Sequence, residues 1–354
     1  MGRAKGIVAC LTLVASVGPL AAQSSADRLG QVLERADFSG AVLVSKGGEV
    51  VFEAGKGMAD RAAGRRNTPE TQFRIGSVTK QFTAMAVLIL QDRGRLDVKD
   101  PVGRHVPGLP EAWRRLTIHQ LLTHTSGLMH SWALPGFRET MARPTTLDQT
   151  LARFFEQPLL FEPGSGFQYS GVGYFLLAKL IEQVSGQSYG AFLRAEVFEP
   201  LGMKDTGADD PSRPPPRLAQ GYDRDQDGSI REAAEIYVPL LAGGGDLHST
   251  VGDLARWDRA LASRLLVSER AYAAIYRPER ESYAYGWRVG QVEQHEALSH
   301  SGGLPGFSAY NLRLPADGID VIVLSNHSAG SVQQVALELA KVMLRAHDAS
   351  AKSP

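Results

Sequence analysis

Phe73-Arg74-Ile75-Gly76-Ser77-Val78-Thr79-Lys80 leads into an uninterrupted helical pattern that continues from Gln81 to Arg93. Apolar residues recur at Val78, Phe82, Met85, Ala86 and Ile89, one stripe at the 3.6-residue period. Gly94 stands where a helix C-terminus wants a glycine. The pattern predicts a helix starting at about Ser77. Residues three apart share a helix face, so Ser77 and Lys80 point the same way. A helix start carries free N–H groups and a positive dipole. A serine there, with an amine one turn along, can act as an activated nucleophile if its surroundings depress the amine's pKa. The same spacing also serves as an ordinary N-cap followed by a surface lysine. Of the nine lysines, only Lys80 has a serine three positions before it.

Working outward, the flanking segments change character. Before this helix, Ser25 to Ala36 reads as amphipathic helix, with Leu29, Val32 and Leu33 on one face. Ala41-Val42-Leu43-Val44-Ser45 and Val50-Val51-Phe52-Glu53 are β-rich runs joined by Lys46-Gly47-Gly48, a hairpin signal. From Leu96 to about Arg270 the pattern is mostly helical, with helices expected at Thr117–Leu128, Leu147–Phe155, Gly173–Val184, Tyr189–Val197 and Val251–Leu261. Strands return at Tyr285–Val289, Phe307–Leu314 and Ile319–Ser325, the last nearly all apolar and so expected to be buried on both faces. Ser331 to Arg345 closes as a helix. Strands at both ends and helices between predict an α/β (α+β) chain: one antiparallel sheet flanked by helices, with an inserted helical lobe. The expected division is a sheet lobe from 24–95 and 271–354 and a mainly helical lobe from 96–270, with the site at their junction.

The chain has 354 residues, 43% hydrophobic and 21% charged, with formal net charge +0. That is enough for a large core, and no basic excess points to nucleic acid. Residues 1–23 read as a signal peptide: Arg3 and Lys5 form a charged start, Gly6 to Leu20 an apolar run, and Ala21-Ala22-Gln23-Ser24 a small-residue cleavage region. The run is too short to span a bilayer. Export to the periplasm or beyond is expected, with cleavage near Ala22 or Gln23 and no transmembrane segment in the mature chain. The only cysteine, Cys10, lies inside that segment, so the mature chain has no disulfide and no thiolate ligand or nucleophile.

Two further motifs carry chemistry. Tyr169-Ser170-Gly171 follows the Glu162-Pro163-Gly164 loop and precedes a helix. A loop tyrosine can shuttle a proton if nearby cations lower its pKa, or can simply pack under the loop. His300-Ser301-Gly302-Gly303 falls between strand patterns, either as a tight turn or as a sheet edge where small residues admit a substrate backbone. The Gly303 and Ser77 amides could together form an oxyanion hole. Asp223-Arg224-Asp225-Gln226-Asp227-Gly228 begins like a calcium loop, but Ala234 stands where a bidentate glutamate is needed, so a solvated hairpin turn is expected.

The order Ser-x-x-Lys, Tyr-Ser-x, His-x-Gly resembles the serine β-lactamase and penicillin-binding superfamily, in its class C-like branch with esterases and D-stereospecific peptidases. Leu121–Leu128, Glu162-Pro163-Gly164, Gly173-Tyr174, Pro200-Leu201-Gly202-Met203, Gly243–Leu247 with Ser249-Thr250, and Gly306 extend the resemblance over about 38–343. It implies a β-lactamase/transpeptidase-like fold and acyl transfer on ester, D-amino-acyl peptide or β-lactam carbonyls, with no cofactor and no metal. Ser77 would be the nucleophile, Lys80 and Tyr169 the proton relay, and His300, Ser301, Gly302 and Gly171 the substrate-binding positions. His300 would stand where the family has a lysine, with a charge that depends on pH. Gly171 would stand where the family usually has an asparagine that contacts the substrate's amide. Both departures favour esters or D-amino-acyl peptides over penicillins. The reading from another class is a catalytically silent cell-wall peptide or partner binder on the same fold, which Gly171 favours and the retained Ser77, Lys80 and Tyr169 oppose. Neither His-Glu-x-x-His nor Gly-x-Ser-x-Gly occurs, which argues against a metal hydrolase and an α/β-hydrolase.

Overall fold

A computed structural model describes residues 24–328 and 331–351. The proposed signal segment lies outside them. Helix α1 (Ser25–Arg35) is capped by Ser24, whose side chain accepts from the Asp27 amide. β1 (Gly40–Lys46) and β2 (Glu49–Lys56) form the expected hairpin. Helix α2 (Thr79–Asp92) follows a short 3-10 turn at Gly76–Val78. In the middle of the chain, α3 (Ile118–Leu122), α4 (Gly171–Ser185), α5 (Tyr189–Leu193) and α6 (Val251–Ala262) are the elements that matter for the site. Strands β3 (Arg288–Val292), β4 (His295–Leu304), β5 (Phe307–Leu314) and β6 (Ile319–Ser325) precede α7 (Val332–Ala351). Among the described residues, no helix is long and apolar enough to cross a membrane.

The six-stranded sheet has the order β3-β4-β5-β6-β1-β2, antiparallel throughout. β1 pairs with β6, Val42 opposite Val323, so strands from both ends of the chain meet inside the sheet. Alternate residues of these strands point to opposite faces. Val42, Val44, Val321 and Val323 pack with Leu29, Leu339 and Leu344 of α1 and α7. Ala41, Leu43, Ile322 and Leu324 belong instead to the core that holds Phe82 and Trp257. All seven residues of β6 are buried, as a strand covered on both faces requires.

Several expectations shift. The apolar stripe predicted for α2 understates its burial: every residue from Thr79 to Leu90 is buried, polar ones included. A helix enclosed on all sides lies inside the protein rather than on it. The helix expected at Thr117–Leu128 ends at Leu122, because the chain turns through His124 at φ 60° and Gly127 at φ 81°. The last expected turn of Tyr189–Val197 becomes a π-type turn at Arg194–Phe198. His300–Gly303 is no turn between strands; it lies in the C-terminal half of β4. Polar and small residues hide that strand from a search for apolar periodicity. The segment Asp223–Gly228 closes a hairpin between Tyr222–Arg224 and Ile230–Glu232, and Arg231 pairs with Asp225.

Candidate active site

The 3-10 turn at Gly76–Val78 exists because the backbone there meets another backbone. Gly76 holds φ +49°, and a Cβ on it would lie 2.7 Å from the Gly303 nitrogen. A Cβ on Gly302 would lie 2.0 Å from the Ile75 carbonyl oxygen and 3.2 Å from the Ser77 nitrogen. Only glycine fits such approaches. They bring the β4 strand against the start of α2. β3 pairs with β4 only from His295 to Ser299, so beyond that point one side of β4 is left without a strand partner in the sheet.

Ser77 is half-buried, and Lys80 is fully enclosed beneath it. The Lys80 Nζ donates to Ser77 Oγ at 3.2 Å and to the Gly244 carbonyl at 2.7 Å. Burial lowers the Lys80 pKa to about 7, against a smaller upward pull from Asp246. The Asp246 carboxyl is itself buried and pushed up to about 8, while its Oδ1 accepts from the Gly243 amide. The amine is therefore poised to exchange a proton near neutral pH, which a surface N-cap lysine is not.

Tyr169 precedes Ser170, the N-cap of α4, whose hydroxyl accepts from the Gly173 amide. Its ring lies 5.0 Å from Lys80 Nζ, and its phenol interacts with the Ser77 side chain. The expectation that cations lower this phenol's pKa is corrected: burial dominates and raises it, with the Ser77 contact offsetting only part. Tyr169 is a neutral phenol here, not a phenolate base.

His300 departs from its expected ionisation. It is 3% exposed, its Nδ1 lies 2.7 Å from the Ser301 carbonyl, and its Nε2 lies 2.9 Å from the Tyr283 hydroxyl. A carbonyl only accepts, so Nδ1 carries the proton and Nε2 accepts from Tyr283. Burial, then the nearby Lys80 cation, lowers its pKa to about 3. The ring stays neutral at ordinary pH, engaged by the Tyr283 hydroxyl and the Ser301 carbonyl, contrary to the pH-dependent charge expected of it. Ser301 is exposed on the same strand, whereas Gly302 is buried against Ile75 and Ser77.

A cleft of about 160 Å³ opens over Ser77 and Lys80. Gly171, Gly244, Gly245 and Gly303 contribute backbone to it, and Trp132, Phe175, Leu241 and Leu304 apolar walls. At Gly171 an added Cβ would lie 2.9 Å from Ser131 Oγ, so that hydroxyl occupies the space a side chain would need. His130 also lines the cleft, its pKa lowered by burial to about 4, which leaves it neutral. Ser77, Lys80, Gly171 and Gly303 thus share one cleft; the Tyr169 ring lies 5.0 Å from Lys80 Nζ and 6.2 Å from the His300 ring.

Sequence reasoning does not single out Asp246, Gly244, Ser131, His124 or Tyr283 as part of the site. A lone aspartate after Gly243-Gly244-Gly245 is a usable signal, since a carboxylate in so apolar a run is costly unless placed for a reason. Tyr283 carries none.

A family model described as Beta-lactamase matches residues 26–342. Penicillin-binding protein 4* of Bacillus subtilis (strain 168) is 31% identical over 316 residues, which cover 83% of this chain and 69% of that protein. Esterase EstB of Burkholderia gladioli is 40% identical over 258 residues, 65% of this chain and 64% of the esterase. The crystal structure of a penicillin-binding protein from Bacillus halodurans matches with a TM-score of 0.78 at 28% identity, over 91% of this chain and 98% of that one.

Proposed function

Because this chain belongs to the Beta-lactamase family of serine hydrolases, we propose that it cleaves esters of small, uncharged acyl groups through an acyl-enzyme on Ser77. The observation that carries the reading is the enclosed Lys80 amine, 3.2 Å from Ser77 Oγ with its pKa lowered to about 7. An amine with that pKa is a competent general base at neutral pH.

The steps follow from the placement. Neutral Lys80 takes the Ser77 proton as Oγ attacks the carbonyl carbon. The Ser77 and Gly303 amides hold the oxyanion. Tyr169 donates its proton to the departing alkoxide as the C–O bond breaks, and Lys80 returns a proton to Tyr169. Water then attacks the acyl-Ser77 ester with Lys80 as base, and Ser77 recovers its proton. A silent binder on the same fold has no need of a buried amine held against a serine.

The acyl class rests on the cleft. Its volume of about 160 Å³ matches cavities that hold one benzene-sized group, about 150 Å³. Among the described residues, Lys80 and the neutral His130 are the ionisable ones that line it, with no carboxylate placed for the ammonium of an amino-acyl substrate. The resemblance to EstB supports an ester as the scissile bond. D-amino-acyl peptides and β-lactams, open in the sequence, are the poorer fit to these walls. Export by the 1–23 segment is part of the same proposal, and N-terminal sequencing of the mature protein tests it. The substrate test is turnover of p-nitrophenyl esters from acetyl to decanoyl beside nitrocefin and a D-Ala peptide. Short esters should be turned over fastest; preference for the peptide or nitrocefin would overturn the acyl assignment.

A further inference from the structure

His124 is buried, 1% exposed, and is one of few non-glycine residues in the left-handed region, with φ 60°. It touches the segment around Tyr169 in three ways. Its carbonyl oxygen accepts from the Gln168 amide at 2.9 Å. Its Nδ1 accepts from the Ser170 amide at 3.1 Å. Its ring centroid lies 4.4 Å from that of Tyr169, tilted by 47°. The residues on either side of Tyr169 are thus both bonded to the same histidine, and the phenol ring rests on the imidazole between them. On its other sides the imidazole packs against Tyr283 at 4.5 Å and Tyr174 at 5.1 Å.

The backbone conformation explains the double grip. After α3 ends at Leu122, a residue in the left-handed region turns the chain so that carbonyl and side chain of one residue reach the same neighbouring stretch of loop. Histidine is among the residues that tolerate this region. Because Nδ1 accepts, the proton sits on Nε2, which among the described residues has no hydrogen-bond partner. A ring bonded through one nitrogen only is spent on placement rather than on a proton chain.

We propose that His124 is the positioning residue for Tyr169, fixing the phenol against Ser77 by clasping residues 168 and 170 and stacking on the ring between. The inference rests on the reading of Tyr169 as proton donor to the leaving group. Nothing in it requires His124 to touch substrate.

Two substitutions suit φ 60° without strain and separate the contributions. His124→Asn offers an amide oxygen near the Nδ1 position; His124→Gly offers nothing. Both should retain the wild-type circular dichroism and be labelled at Ser77 by a fluorescent phosphonate. With a p-nitrophenyl ester, His124→Gly should lower kcat on the order of 10²-fold, the cost of misplacing a reacting group by about an ångström. KM should stay within about twofold, since the acyl cleft is untouched. His124→Asn should recover most of the loss, because it restores the bond to Ser170. In a Tyr169→Phe background the His124→Gly cost should vanish, because residues acting through one group are not additive. Full additivity there overturns the proposal, as does wild-type kcat in His124→Gly. If His124→Gly fails to fold, the cycle of His124→Asn with Tyr169→Phe decides the matter through its smaller loss, again by additivity or its absence. The reading of Tyr169 itself fails only if Tyr169→Phe alone keeps wild-type turnover, a result independent of His124.

Discussion

Two regions of this molecule are almost equally enclosed and do opposite things. Between the sheet and α1 with α7, Val44, Val321, Val323 and Leu339 are 0% exposed and pack in one apolar cluster. Beneath Ser77, Lys80 is 2% exposed, His124 1%, Asp246 3% and His300 3%. In the first region burial of apolar surface stabilises the fold. In the second, burial is unfavourable for every charged form and is expressed as displaced ionisation: Lys80 to about 7, Asp246 to about 8, His300 to about 3. Enclosure is therefore a structural resource in one place and a chemical one in the other. The enclosed α2 belongs to both, with Phe82 in the core and Lys80 on the turn that faces Ser77.

The comparison breaks most sharply at the nucleophile. Ser77→Ala should abolish ester turnover and phosphonate labelling, with a loss on the order of 10⁶-fold in kcat, and leave Tm within a degree or so. Turnover persisting in that variant would remove the chemical half of the contrast altogether.

Lys80→Met tests whether the second region can be turned into the first. It replaces a buried amine by an apolar side chain of similar reach. Turnover should fall by about 10²- to 10⁴-fold, the usual worth of a general base. Stability should hold or rise, because apolar replacement of a buried ionisable group is often neutral or stabilising. A clear loss of Tm would mean that the amine's bond to the Gly244 carbonyl is structural and the contrast is overdrawn.

Leu339→Ala is the reverse experiment. It opens a cavity between α7 and the sheet and should cost about 2–5 kcal/mol of unfolding free energy. Activity per folded molecule should be unchanged, as read from phosphonate-titrated active sites. A lowered kcat in folded protein would couple the two regions.

The two regions also differ in how far the sequence exposes them. The apolar strands 41–45 and 319–325 announce themselves, because a run buried on both faces needs nothing but length and β-branched residues. Ser77 and Lys80 are legible because helical spacing is local. Strand His295–Leu304 is not, since its glycines answer to the backbone of Gly76 and Ile75, a contact over two hundred positions away. The neutrality of His300 and the raised pKa of Tyr169 escape a sequence reading for one reason: reference values describe exposed groups, and enclosure is a tertiary property. His124 is legible only as part of a motif, because its role depends on a left-handed backbone that no residue pattern shows.

The smallest expected effect is also the finest test. On acidification Lys80 gains a proton and loses its basicity, so kcat/KM should fall as pH drops through about 7, approaching tenfold per unit well below it. Burial drives that pKa down; the Asp246 carboxyl pulls it part of the way back. The two groups interact, so the apparent values of about 7 and about 8 belong to the pair. Asp246→Asn keeps an oxygen for the Gly243 amide and removes the negative charge. The carboxyl, pushed up to about 8, carries that charge only in part at about pH 7, so its removal shifts the limb only slightly. With burial left as the main influence, the acid limb of the kcat/KM profile should move to lower pH, by less than about one unit. Measured from about pH 5 to 9, a limb displaced upward would mean that the carboxyl does not support the amine's charge, and that enclosure beneath Ser77 is tuned by some other group.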